Sequence, residues 1–232
     1  MGIDQHSKTY RALELYLVMG VAFAAPIFAS INALFSTSFT QSQQASGTRA
    51  FYGLIYELLA LAVMTYVLSR QGRSLKQIGL SFSWIDVLVS ILLIVVAYVA
   101  FIISYKAIYY GYYFASGRSL IQQNRSPNII DAGITTGTIL FVIINPVYEE
   151  LIVRAYVISE VRYLTGSGIV GVIVSVVIQT IYHLYQGTLA AFALGVMFLV
   201  FSIYYLKFKR IVPVILAHFF FDVLALLLYA YR

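Results

Sequence analysis

The sequence predicts an all-α fold, a polytopic bundle of transmembrane helices with about seven spans. Of 232 residues, 61% are hydrophobic and only 10% are charged, against about 25% charged in an ordinary soluble domain. Mean hydropathy is +0.88. The apolar residues also gather in runs of roughly 20, the length a helix needs to cross a bilayer at 1.5 Å rise per residue.

The first run, 13–35, follows a basic start, and Ala22-Phe23-Ala24 imitates a signal-peptide cleavage site. The run continues through Pro26 to Phe35, longer than a signal core, so a retained first helix is expected. The second run is 51–68, and the third, 84–105, opens at Trp84, an aromatic suited to the headgroup level. Residues 107–133 are Tyr-rich and interrupted by Gly and Pro, which predicts an eighth, interfacial or re-entrant segment there. Further spans are expected at 134–158, 169–185, 188–206 and 211–231. In the sixth, Ala191 and Gly195 form a small-xxx-small pair that suits internal packing or dimerisation equally. Linkers are short apart from 36–50, which is Ser/Thr/Gln-rich, and 107–133. The chain, 1–232, reads as a single integral membrane domain without a soluble appendage, so function is expected within the bundle.

The net charge of +6 is spread over short loops between apolar runs and forms no basic face, which argues against nucleic-acid binding. Lys8, Arg11, Arg70, Arg73, Lys76, Arg162, Lys207, Lys209 and Arg210 fall on one side, leaving Arg49, Lys106, Arg118, Arg125 and Arg232 on the other. The positive-inside rule then predicts a multi-pass protein of the cell membrane with a cytoplasmic N-terminus. There are no cysteines, which excludes disulfides, thiol catalysis and Cys-ligated metal.

Ionisable residues at membrane depth cost several kcal/mol and mark functional sites. Glu149, Glu150 and Arg154 lie in the fourth run, His183 late in the fifth, and His218 with Asp222 in the last. Glu150 and Arg154 are i and i+4 and share a helix face, whereas Glu149 is turned about 100° from its neighbour. Glu150 is therefore expected to pair with Arg154, leaving Glu149 free to act as a base. Pro146, one turn earlier, removes a backbone donor and predicts a kink or hydrated gap. His218 and Asp222 are likewise i and i+4. Helix lengths pose a difficulty: His183 lies some 20 Å from the start of its run, but Glu149 and His218 lie only 10–14 Å from the matching ends of theirs. Glu14 reads as an interfacial, solvated residue and Glu57 as a weaker candidate for the polar cavity.

From these residues the chain resembles the CPBP, or Abi, family of intramembrane glutamate proteases, which includes type II CaaX prenyl endopeptidases and bacteriocin-associated membrane proteins. The resemblance covers a catalytic core of about 134–222. It rests on Glu-Glu-x-x-x-Arg at Glu149, Glu150 and Arg154, a histidine motif at His183, and His-x-x-x-Asp/Asn at His218 and Asp222. The second motif departs from the family's Phe-x-x-x-His, because position 179 is Gln, which bears on pocket shape and substrate class.

The resemblance implies a metal-independent, cofactor-free hydrolase, an endopeptidase acting on a peptide or membrane-protein substrate at or near the bilayer, in a cavity open toward the cytoplasm. Glu149 with His183 would activate a water, His218 and Asp222 would stabilise the oxyanion, and Glu150 with Arg154 would orient the site. An ionised Asp222 would repel an oxyanion, so orienting His218 is its favoured role. The compact chain looks like members linked to bacteriocin immunity or secreted-peptide maturation. Competing readings are a zinc site of Glu149, His183 and His218, a non-catalytic immunity or scaffold protein, and a proton-coupled transporter, whose usual inverted repeat is not evident.

Overall fold

The computed structural model describes residues 7–35, 47–118 and 134–230. Among them there are helices and turns but no strands, as backbone in hydrocarbon must satisfy its hydrogen bonds internally. In order they are α1 (Lys8–Phe35), α2 (Gly47–Arg70), α3 (Ile85–Ser116), α4 (Thr136–Glu149), a widened π-helical stretch (Glu150–Tyr156), α5 (Val157–Thr165), α6 (Gly168–Tyr182), α7 (Thr188–Phe208) and α8 (Val212–Ala230). From α4 through the π stretch to α5 the chain runs as one continuous helix, Thr136–Thr165. Five helices are long and apolar enough to cross a membrane, and Gly168–Tyr182 and Val212–Leu228 are shorter apolar helices. This is the all-α membrane bundle expected.

Two boundaries differ from expectation. Helix α3 continues to Ser116 rather than ending near 105, so the first part of the expected interfacial segment is more of α3; positions 119–133 lie outside the described residues. The fourth helix continues past 158 to Thr165. The charges that suggested a loop are accommodated instead: Glu160 is buried, takes a bidentate pair from Arg11 of α1 at 2.7 and 2.9 Å, and is also paired with Arg73 beyond α2. Glu14 is tied into the same network, accepting from Gln71 at 2.9 Å.

A second clamp at this end joins α3 to α8, where Arg210 donates twice to Asp86 at 2.8 Å. Beside it the turn before α3 meets the start of α8. Ile211 donates its N–H to the Gly79 carbonyl at 3.1 Å, and Gly79 sits at φ 95°, where a Cβ would come within 2.4 Å of the Lys209 carbonyl. Only glycine suits that conformation and that closeness. The Tyr205 hydroxyl bridges the Ile78 and Ala155 carbonyls, so α8 begins level with Ala155, inside the bundle, while α5 extends further out.

The core lies around the fourth helix, where every residue from Glu150 to Ile158 is buried. Phe23 of α1 packs on Tyr148 and Tyr182, and the Tyr148 hydroxyl donates to the Ala22 carbonyl. Ala191 is buried, and a Cβ on Gly195 would meet Thr180 of α6 at 2.6 Å. The small-residue pair on α7 therefore serves close internal packing between α6 and α7.

Candidate active site

Pro146 lies inside α4, and the helix widens one turn after it, at Glu150. The Glu150 N–H reaches the Pro146 and Val147 carbonyls, and the π stretch, with its i to i+5 pattern, runs from Glu150 to Tyr156. A π turn accommodates an extra residue and recurs at functional sites. Here it is the local structure that carries Glu150 and Arg154, immediately after Glu149, with all of its residues buried.

Glu150 uses both carboxylate oxygens. Oε2 lies 2.6 Å from Nη1 of Arg154, with neither side chain exposed, and the guanidinium stands over the rings of Phe198 and Phe201 at 5.2 and 5.4 Å. Oε1 faces His218 Nδ1 at 2.7 Å. A carboxylate already paired with arginine is an acceptor, so Nδ1 carries the hydrogen and Nε2 is turned the other way. On that side stand Glu149 Oε2 at 3.8 Å and Asp222 Oδ1 at 3.7 Å, both beyond direct hydrogen-bond length.

Glu149, by contrast, has no arginine or lysine paired with it among the described residues. Its Oε2 accepts from the Gln179 side-chain amide at 2.8 Å, and the buried Tyr182 hydroxyl lies beside it, outside hydrogen-bonding geometry. His183, the residue that ends α6, is within electrostatic reach of Glu149. Its Nδ1 donates to the Gln179 carbonyl at 2.8 Å, since a carbonyl only accepts, which leaves Nε2 as the ring's acceptor. The ring packs between Tyr182 and Phe198, with centroids at 4.4 and 4.9 Å. Gln179 thus touches both candidates, one through its side chain and the other through its backbone.

The depth difficulty disappears because the fourth helix continues past 158 to Thr165. Glu149 sits ~24 Å from the Thr165 end of its helix and His183 ~23 Å from the start of α6, while α8 starts level with Ala155. All six sequence candidates therefore fall in one region: Glu149, Glu150, Arg154, His218 and Asp222 through the distances above, and His183 beside Glu149.

The expected orienting bond from Asp222 to His218 is not the arrangement found. The ring is fixed by Glu150, and Asp222 instead accepts from Asn145 of α4 at 3.0 Å. Asn145 was not singled out by sequence, although it stands four residues before Glu149, on the same helical face. Glu57 of α2 is also in the region: it is 3% exposed and within electrostatic reach of Glu149 and Asp222.

A group with metal-ligand spacing exists, but it is Glu149, Glu150 and His218, whose ligand atoms lie within 4.8 Å of one another. His183 does not join it. Within this group Glu150 already has Arg154, and His218 Nδ1 is spent on Glu150, so the donors left to an ion are the Glu149 carboxylate and His218 Nε2.

Residues 131–224 match the family described as type II CAAX prenyl endopeptidase Rce1-like. This part of the chain is Rce1-like. The match encloses all six candidates and agrees with the CPBP resemblance read from the three motifs. The five long apolar helices mark the chain as a multi-pass membrane protein, and its segment 131–224 is similar to the type II CAAX prenyl endopeptidases. No curated protein and no solved structure matches the chain. Within the Rce1-like segment lie Asn145 and Gln179, which hold Asp222 and Glu149; Glu57 lies outside it.

Proposed function

We propose that the chain is a metal-independent intramembrane endopeptidase in which Glu149 is the general base. One observation carries this reading: of the two adjacent carboxylates, Glu150 is neutralised by Arg154, whereas Glu149, paired with no arginine or lysine among the described residues, accepts from the Gln179 amide and lies near His218 and His183. A buried carboxylate without a fixed cation is poised to take a proton.

In this scheme a water between Glu149 and His183 gives a proton to the Glu149 carboxylate while its oxygen adds to the peptide carbonyl carbon. The carbonyl π electrons move onto oxygen, and the oxyanion is met by donors on the α8 side, principally His218 Nε2 when protonated, with Asp222 held nearby by Asn145. Collapse of the tetrahedral intermediate re-forms the carbonyl and breaks the C–N bond. The proton held by Glu149 passes to the leaving amine. Glu150 and Arg154 do not react; they fix the ring of His218. Substrates are peptides or membrane proteins cleaved at or near the bilayer, with the N-terminus on the cytoplasmic side. Secreted-peptide maturation or bacteriocin self-immunity is the setting suggested by the resemblance.

Protein purified in detergent is incubated with a peptide library and its products are read by mass spectrometry. Wild type should cleave and Glu149→Gln, which keeps the volume and removes the base, should not, while both melt at similar temperature. Cleavage should persist after dialysis against EDTA and 1,10-phenanthroline. Turnover by Glu149→Gln would remove Glu149 from the mechanism, and loss on chelation with rescue by Zn²⁺ would overturn the metal-free assignment.

A further inference from the structure

Glu57 is not used by the mechanism above, lies outside the Rce1-like segment and is nonetheless buried beside the site. An intramembrane carboxylate without a partner is costly and calls for a role. Its Oε2 is buried with no hydrogen-bond partner among the described residues, and the side chain lies within electrostatic reach of Glu149 and Asp222.

The missing partner has a definite chemistry. Near Glu149, the Gln179 Oε1 atom is also buried with no hydrogen-bond partner among the described residues, and an amide oxygen can only accept. Two unpartnered oxygens near one base call for a donor. The set of groups points the same way: four carboxyl groups, Glu57, Glu149, Glu150 and Asp222, share this region with one fixed cation among the described residues, Arg154, whose partner is Glu150. Asp222, with 15% of its side chain exposed, is more open than Glu149 or His218, so the α4–α8 edge is where the cluster is most accessible.

We propose that Glu57 is the cation-recognition residue of this site, its unpartnered oxygen receiving the ammonium or guanidinium of a lysine or arginine side chain next to the scissile bond. The inference rests on the endopeptidase reading for the word scissile, but binding does not require turnover. A buried charge pair confers selectivity because the neutral isostere leaves the acceptor unpaired.

The test compares two peptides identical except for lysine or norleucine at one position, scanned along the sequence, in buffer containing EDTA so that no divalent ion substitutes for the lysine. Affinity for detergent-purified wild type, Glu57→Gln and Glu57→Asp is measured by thermophoresis, and melting temperature is recorded in parallel. Wild type should favour the lysine peptide at one register by about tenfold or more. Glu57→Asp should keep a preference and Glu57→Gln should abolish it, with binding of the norleucine peptide unchanged. Glu57→Met, an apolar replacement, takes the place of the Gln variant should that fail to fold. The same preference in Glu57→Gln, or none in wild type, overturns the assignment. Cleavage of the norleucine peptide, followed separately, tests the endopeptidase reading alone.

Discussion

The side-chain amide of Gln179 donates to Glu149 at 2.8 Å, from the position where the resembled family usually carries phenylalanine. A donor there stabilises the ionised carboxylate, which a phenyl ring cannot do. His183 is held from the same residue by its backbone, and that contact survives any side-chain change.

Gln179→Phe therefore separates hydrogen bonding from shape. It removes the Gln179 hydrogen bond to Glu149 while matching the family's pocket, and kcat/KM for peptide cleavage should fall about tenfold or more, as expected when a donor to a reacting group worth at least ~1.4 kcal/mol is lost. Unchanged or improved turnover would make Gln179 a space filler.

Arg154 is buried with Glu150 and stacked on two phenylalanines. Arg154→Ala leaves an uncompensated carboxylate and an emptied cavity, and should destabilise the protein by about 3–5 kcal/mol. Folding yield, melting temperature and turnover should all drop together. Arg154→Lys keeps the charge but loses the planar group over Phe198 and Phe201, so it should recover part of the stability. A melting temperature unaffected by Arg154→Ala would show that the pair is not structural.

Glu160 is the control at the opposite end of the same helix. Glu160→Ala strips the shared partner from Arg11 and Arg73, which can turn outward to water because their side chains are partly exposed. The cost should be smaller, about 1–3 kcal/mol, with lowered melting temperature and unaltered KM. A large change in KM without a stability loss would contradict a purely structural clamp.

The helices were legible because a bilayer leaves little choice: apolar runs of the right length must be helical. Their ends were not. Glu160 and Arg162 look like loop charges, and nothing local announces that Arg11 and Arg73, remote in sequence, come to Glu160. The candidate site was legible where burial is expensive, at Glu149, Glu150, Arg154, His218 and Asp222. It was obscure where polar residues are cheap. Asn145 costs little in a helix, and Gln179, noted only as a departure from the motif, showed no role in sequence; what each holds depends on how α4, α6 and α8 are rotated against one another. Asp222 and His218 share a face by spacing, yet the ring's close contact is Nδ1 to Glu150 at 2.7 Å, while Asp222 stands 3.7 Å from Nε2.

That difference sets the last prediction, which concerns coupling to His218. Residues acting as one unit lose activity once, so their effects do not multiply. His218→Ala and Glu150→Gln disturb the same ring contact, and the double variant should be little worse than the poorer single one. Asp222 touches Asn145 and stands off His218 Nε2, so Asp222→Asn, which retains an oxygen for Asn145 and gains a donor toward an oxyanion, should keep much of the activity. Asp222→Leu should lose most of it, and combining Asp222→Leu with His218→Ala should come closer to multiplying the two losses. Measuring kcat/KM for the singles and both doubles on one peptide gives two coupling energies. Stronger coupling for His218 with Asp222 than for His218 with Glu150 would mean that Asp222 orients the ring during turnover, and that the resting contact with Glu150 is not the one catalysis uses.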